Sequence, residues 1–265
     1  MLKYVDMLED SGHLHPISLI INKVAKIFEN MGFSVVDGPE LETEWYNFDA
    51  LNVAPDHPSR DMQDTFWIDT KDGSRKVLRT HTSPMQIRSM ERWVEKNKKS
   101  FAENLEVAPL AIISPGKVYR NEATDATHEA NFYQLECLYV DKKENVSIPN
   151  LKWTIEKYLT ELFQKKINIR FRSSYFPFVE PALEADMLCF RCDGIGCSTC
   201  KQSGYIEILG SGMVHPKVLE MCGIDSTKYS GFAFGGGIDR IAMMLYGIED
   251  VRNLYNADMR LTSQF

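Results

Sequence analysis

No stretch of this 265-residue sequence approaches the roughly 18 consecutive apolar residues of a membrane span. Its opening, MLKYVDMLEDSG, lacks the basic start and apolar centre of a secretory signal, so a cytoplasmic location and no membrane contact are expected. Cysteine is scarce and unevenly placed: four of the six fall between Cys189 and Cys200, too close together to staple a chain of this length. Basic residues are outnumbered, 30 Lys and Arg against 37 Asp and Glu, and the net charge of −7 excludes a polycation that coats nucleic acid by bulk electrostatics. Any RNA contact must be local or supplied by a partner. Repeats, low-complexity tracts and Gly/Ser linkers are missing, which predicts one domain over residues 1–265 with a small insertion at 188–204. The six histidines form no nucleophilic triad pattern with any single Ser or Cys, which argues against a hydrolase.

What remains is an ordinary globular composition, 44% hydrophobic and 25% charged. From Ile17, the residues Ile20, Ile21, Val24, Ile27, Phe28 and Met31 recur at helical steps and Gly32 follows as a stop. Residues 33–36 read as a strand entering a turn at Gly38-Pro39, and an irregular stretch follows to Arg60. Helices are predicted over 83–94, opened by a Ser-Pro pair, and over 151–163. Strands are predicted at 111–114, 118–120, 131–140, 167–171 and 205–209. Helices and strands therefore alternate irregularly, and residues 123–130 suit a hairpin better than a helical crossover. The fold class expected is α+β around an antiparallel sheet, with a loose end over the first dozen residues.

In Asn131-Phe-Tyr-Gln-Leu-Glu-Cys-Leu-Tyr139 the strand period puts Phe132, Gln134 and Glu136 on one face and Tyr133, Leu135, Cys137 and Tyr139 on the other. The second face is core; the first mixes a ring with polar groups. Just upstream, Gly116-Lys-Val-Tyr-Arg120-Asn-Glu122 leads through a polar loop to His128. An arginine beside an aromatic on the returning strand can hold a nucleotide, the guanidinium forking onto phosphate and the ring stacking on a base. Gly231-Phe-Ala-Phe-Gly235-Gly236-Gly237-Ile-Asp239-Arg240 leads into a helix, where glycines let backbone approach a ligand and the helix N-terminus favours phosphate. It is neither a dinucleotide-binding fingerprint nor a Walker sequence.

Arg120 with Glu122 and the strand to Glu136 resemble motif 2 of class II aminoacyl-tRNA synthetases. Gly235-Gly-Gly-Ile-Asp-Arg240 resembles motif 3, and the helix and strand ending at Gly38-Pro39 resemble motif 1. More narrowly, His81-Thr-Ser-Pro-Met-Gln86, Tyr175-Phe-Pro-Phe-Val-Glu180-Pro, Gly212-Met-Val-His-Pro216 and Tyr229-Ser-Gly-Phe-Ala-Phe-Gly235 are similar to the α-subunit family of bacterial phenylalanyl-tRNA synthetases. The resemblance runs from about Leu14 to the C-terminus. It implies the class II catalytic fold and the ligation of L-phenylalanine to tRNAPhe through an adenylate made from ATP, with Mg²⁺ as cofactor. The family's roles carried to matching positions give Arg120 the α-phosphate and the amino acid's carboxylate, with Phe132 and Arg240 sandwiching the adenine. Glu122 and His128 contact the adenine edge and the pyrophosphate end, and Gly237 belongs to the ATP site. His81, Ser83, Gln86, Gln134 and Glu136 surround the amino acid's polar end. Phe176 and Phe178 pack on its ring and Ala233 leaves room beside it. Glu180 matches a position that binds Mg²⁺ together with a β subunit, and motif 1 implies oligomerisation.

Two features depart from the family. Cys189-Phe-Arg-Cys192-Asp-Gly-Ile-Gly-Cys197-Ser-Thr-Cys200 supplies two C-x-x-C knuckles, the donor set of a structural tetrahedral Zn²⁺; an iron–sulfur centre or unligated thiols are the alternatives. Cys137 and Cys222 stand alone and read as buried core thiols. Only about a dozen residues precede the first motif, where the family carries a long arm that grips tRNA, so unaided tRNA binding is expected to be weak. Asp239 stands where many relatives have Glu and keeps the charge. An adenylating paralogue that charges no tRNA, and a non-catalytic zinc-bearing binding module, are the competing readings.

Overall fold

A 15-residue helix, α1 (Pro16–Asn30), forms where the apolar period predicts it and buries Ile17, Ile20, Val24 and Phe28 on one face. Gly32 takes φ +86° just beyond it, a left-handed turn that a side chain opposes. The computed structural model describes residues 12–61, 64–71, 73–103, 105–189, 191–198 and 200–265. The loose end expected at the start therefore lies, over residues 1–11, outside the described residues. After α1 come β1 (Ser34–Val35), β2 (Leu41–Thr43), the one-turn α2 (Glu44–Asn47), β3 (Trp67–Asp69) and β4 (Arg75–Leu78). Next are α3 (Pro84–Lys96), α4 (Lys98–Ala102), β5 (Leu110–Tyr119), β6 (Asn131–Lys142), α5 (Ile148–Phe163), β7 (Ile169–Phe176) and β8 (Val179–Leu188). The order ends with β9 (Tyr205–Val214), α6 (Pro216–Met221), β10 (Tyr229–Gly237), α7 (Ile238–Tyr246) and α8 (Met259–Thr262). No helix among the described residues is long and apolar enough to cross a membrane.

Seven strands form one sheet in the order β1-β5-β6-β10-β9-β8-β7, antiparallel throughout except for the short β1, which runs parallel to β5. The α+β expectation holds. Three local expectations do not. The stretch expected to be irregular up to Arg60 contains β2, α2 and two 3₁₀ turns, and β2 joins β4 and β3 in a second, three-stranded sheet. The two short strands expected at 111–114 and 118–120 are one, β5, because Ser114-Pro115-Gly116 keeps register with Glu136, Leu135 and Gln134 of β6. Gly235 to Gly237, expected as a loop leading into a helix, are the last residues of β10 and lie opposite Glu136, Leu135 and Gln134.

The sheet's two faces have different covers. On one side α1, α5 and α7 bury Leu135, Cys137, Phe232 and Phe234, with the Phe28 and Tyr158 rings 5.1 Å apart at the centre. On the other, α3 packs Ile87, Met90 and Trp93 over Leu138, Val140 and Ala233. This cover stops short of Glu136 and Gln134, which leaves that part of the face open as a cleft. Three His-Pro pairs start helical turns in the same manner, with Nδ1 of His15, His57 and His215 accepting the N–H of Ile17, Ser59 and Lys217 at 3.2, 3.2 and 3.1 Å.

Candidate functional site

The β6 face bearing Phe132, Gln134 and Glu136 forms the floor of a cleft of about 630 Å³, a size that suits a small-molecule site. Its walls come from the turn before α3 and the start of that helix, the loop between β5 and β6, the β7–β8 hairpin, β10 and the start of α7, which together supply His81, Ser83, Gln86, Arg120, Glu122, His128, Phe176, Phe178, Ala233, Gly237 and Arg240. Every cleft residue expected from the sequence is thus brought together, and Glu180 is not.

Glu136 is buried, accepts a hydrogen bond from Gln86 Nε2 at 3.1 Å, and is pushed up to about 7 by burial against the opposing pull of the Ser83 hydroxyl and the Arg120 charge. Ser83 occupies the position before α3 without capping it, so its hydroxyl is left for this carboxylate. Gly235 lies directly opposite, where an added Cβ would sit 2.3 Å from the Glu136 carboxyl carbon. The glycine run thus makes space for a carboxylate, a need its sequence pattern alone does not reveal. His81 is held neutral, lowered to about 3 by burial and then by Arg120, and its Nδ1 is buried without a partner among the described residues. Gln134 Oε1 is in the same condition. Two orphaned polar atoms converging on a cleft fit a polar ligand that completes them.

Arg120 leaves β5 with its Nε donating to the Thr80 carbonyl at 3.2 Å and its guanidinium 5.0 Å from the Phe132 ring centre, and burial lowers its pKa below the usual arginine range. Arg240, in the first turn of α7, donates to the Glu207 carbonyl at 3.0 Å. Glu122 and His128 stand exposed on the loop, with the His128 ring 3.0 Å from Asp125. Phe176 and Phe178 stack at 5.9 Å and 14°, forming an apolar wall above Ala233. Asp239 is buried, pushed up to about 6 by burial, and accepts the Tyr133 N–H at 2.7 Å and the Tyr255 hydroxyl. It ties α7 to β6 and to the C-terminal segment.

Glu207 on β9 escaped the sequence reading, although the alternation of Tyr205-Ile-Glu207 on a strand could have flagged it. It lines the cleft at a solvent-exposed position and is raised first by partial desolvation and then by Glu184, a setting that favours a cation. Glu180 instead has a side chain 74% exposed, with its carboxylate 3.4 Å from His215 Nε2.

Between β8 and β9, the Sγ atoms of Cys189, Cys192, Cys197 and Cys200 all lie within 4.8 Å of one another, and three pairs stand at 3.8 Å. A tetrahedron with metal–sulfur bonds of about 2.3 Å has edges of about 3.8 Å, whereas a disulfide would require about 2.05 Å. Backbone N–H groups of Gly196, Cys197 and Gly204 point at Sγ at 3.2 to 3.3 Å, and the Cys197 thiol is drawn down to about 6, chiefly by the N–H of Cys200. The donor set fits a tetrahedral thiolate metal. Gly194 and Gly196 take φ +89° and +104°, a left-handed backbone that glycine adopts without strain. Cys137 and Cys222 are buried and free, as expected.

The model of the tRNA synthetases class II core domain (F) matches residues 4–265. The phenylalanine–tRNA ligase alpha subunit of Bacillus licheniformis is 50% identical over 255 residues, covering 96% of this chain and 69% of that protein. That of Prosthecochloris aestuarii is 50% identical over 256 residues, covering 96% and 70%. Among solved structures, pyrrolysyl-tRNA synthetase from Desulfitobacterium hafniense superposes with a TM-score of 0.66 at 18% identity, over 97% of this chain and 78% of that one, a likeness of fold alone.

Proposed function

The chain belongs to the family of class II tRNA synthetase core domains, and from that premise we propose that it is the phenylalanine-activating α subunit of a phenylalanine–tRNA ligase, an ATP-dependent, AMP-forming enzyme. The observation that carries the reading is the meeting in one cleft of a buried carboxylate, two orphaned polar atoms, a desolvated arginine and a stacked aromatic wall. A zwitterion with an aromatic side chain satisfies each of them. The ammonium pairs with Glu136, with Ser83, Gln86, His81 and Gln134 around it, and the ring lies against Phe176 and Phe178 beside Ala233.

The phenylalanine carboxylate attacks the α-phosphorus of ATP, the bond to the β,γ-phosphates breaks, and pyrophosphate leaves. A ribose hydroxyl at the end of tRNAPhe then attacks the carbonyl of the adenylate and AMP leaves. Both steps need position and charge balance, and no enzyme nucleophile takes part. Arg120 holds the α-phosphate and the attacking carboxylate together; Phe132 and Arg240 flank the adenine; Glu122, His128 and Gly237 complete the nucleotide site. Mg²⁺, when bound, neutralises phosphate charge. Glu207 is the cleft carboxylate that would hold it, and Glu180, on the exposed side, would hold a second ion together with a β subunit. Zn²⁺ on the four cysteines is structural, since all four positions are filled by protein. The chain acts as one catalytic unit over residues 1–265 with 188–204 as its metal-bearing insertion, oligomerises through the motif 1 region, engages tRNA with a β subunit, and works in the cytoplasm.

Amino-acid-dependent ATP–pyrophosphate exchange with the purified chain, across all twenty amino acids and with or without a bacterial β subunit, tests this. Exchange restricted to phenylalanine is the expected result. Exchange with another amino acid overturns the substrate, and adenylate formation without charging of tRNAPhe overturns the ligase.

A further inference from the structure

The segment from Tyr46 to Val53 runs behind two walls of the cleft, and its asparagines do not line it. Asn47, fully buried, makes a reciprocal pair with Thr80: its Nδ2 donates to Thr80 Oγ1 at 3.0 Å and its Oδ1 accepts the Thr80 N–H at 3.2 Å. The Thr80 carbonyl in turn accepts Arg120 Nε at 3.2 Å. Five residues on, Asn52 sits in the left-handed region at φ 58°, and its Nδ2 donates to the Pro177 carbonyl at 2.7 Å, between Phe176 and Phe178. The segment itself is anchored by Arg60, whose guanidinium donates to Glu44 at 3.0 Å, to Asp49 at 2.7 Å and to the Val53 carbonyl, and lies 4.9 Å from the Phe48 ring centre.

We propose that Asn47 and Asn52 are positioning residues that set the two halves of the site separately, Asn47 orienting Arg120 through Thr80 and Asn52 holding the aromatic hairpin through Pro177. A primary amide suits both tasks because it is neutral, planar and able to grip backbone without burying a charge. Asn47 is shut off from water and Asn52 is partly so, and each bond holds its neighbour in one place. The inference rests on the phenylalanine-activating reading for what each half does. Arg120 acts on charge that redistributes during attack, so its misplacement lowers kcat. The hairpin contacts the ring in ground and transition states alike, so its misplacement raises KM.

Steady-state exchange is measured on the full chain for Asn47→Asp, Thr80→Val and Asn52→Gly, with circular dichroism to show that each is folded. Asn47→Asp keeps an acceptor for the Thr80 N–H but replaces the neutral amide by a buried charge, and Thr80→Val removes only the hydroxyl contact, so the two weaken the first link in different ways and a folding defect in one leaves the other to decide. Asn52→Gly keeps the left-handed backbone and removes only the amide. The first two are expected to lower kcat about tenfold with KM for phenylalanine within about threefold. Asn52→Gly is expected to raise KM for phenylalanine about tenfold with kcat within about threefold, and to narrow the preference for phenylalanine over leucine. Wild-type kinetics in all three, or kcat and KM moving together, overturns the proposal. If the wild-type chain activates a different amino acid, the substrate reading fails, while the split measured with that amino acid still decides the role of the two asparagines.

Discussion

Replacing Glu136 by Gln should stabilise the ligand-free protein while disabling it. In the fold, burial lifts this carboxyl from its ordinary 4.5 to about 7. Above pH 7 both folded and unfolded chains carry the ionised group, and the folded one bears a cost of about 3 kcal/mol, the free-energy equivalent of that shift. Below pH 4.5 both are protonated and the cost is absent. Wild-type stability relative to Glu136→Gln therefore falls as pH rises from 4.5 to 7 and is level above. For a domain of this size, about 3 kcal/mol corresponds to a Tm some 6–10 °C higher for the variant at pH 8, with the gap closing towards pH 4.5. Function moves the other way. The ammonium of the amino acid loses its buried partner, and breaking such a pair costs about 3–5 kcal/mol, or roughly 10²- to 10⁴-fold in kcat/KM for phenylalanine. The same protonation makes wild-type kcat/KM rise with pH to a plateau above about 7. Scanning calorimetry from pH 5 to 8.5 together with pyrophosphate exchange over the same range reads both effects. A variant no more stable than wild type at pH 8, or a stability gap independent of pH, would refute the assignment of Glu136 as a desolvated carboxylate awaiting a cation.

Gly235→Ala places a methyl 2.3 Å from the Glu136 carboxyl carbon, so the carboxylate must leave Gln86; exchange activity should fall about 100-fold with Tm nearly unchanged, and normal activity would show that the carboxylate has another place to go. Ala233→Gly removes the methyl beside the aromatic wall and should lower KM for para-chlorophenylalanine about tenfold in exchange assays, unchanged selectivity locating the ring elsewhere. Metal analysis should find one zinc per chain, and a chelator should open residues 188–204 to limited proteolysis; a metal-free preparation with full protease resistance there would argue against a structural ion.

Periodicity alone was enough for α1, whose buried face repeats at helical steps, and for β6, whose alternation separates Glu136 from Cys137. The four-cysteine spacing likewise carried its own geometry, because two C-x-x-C knuckles leave few ways to arrange four sulfurs. Resemblance then gathered His81, Arg120, Phe176 and Arg240 into one site that the fold does assemble as a cleft. What stayed hidden depends on partners distant in the chain. β8 reads poorly as a strand because it carries Glu184 and Asp186, yet Arg170 and Arg172 of β7 neutralise them across the sheet. Residues 41–60 looked irregular because their order comes from Arg60, Arg88 and Thr80 rather than from any local period. Nothing in the spacing around Asp239 announces that β6 and Tyr255 close around it. The sequence by itself therefore determined which residues face the core and which chemistry is present, since both follow from spacing along one strand or helix. Only the tertiary structure decided which polar groups lose water together, and it is that shared desolvation that raises Glu136, neutralises His81 and leaves the cleft ready for a charged ligand.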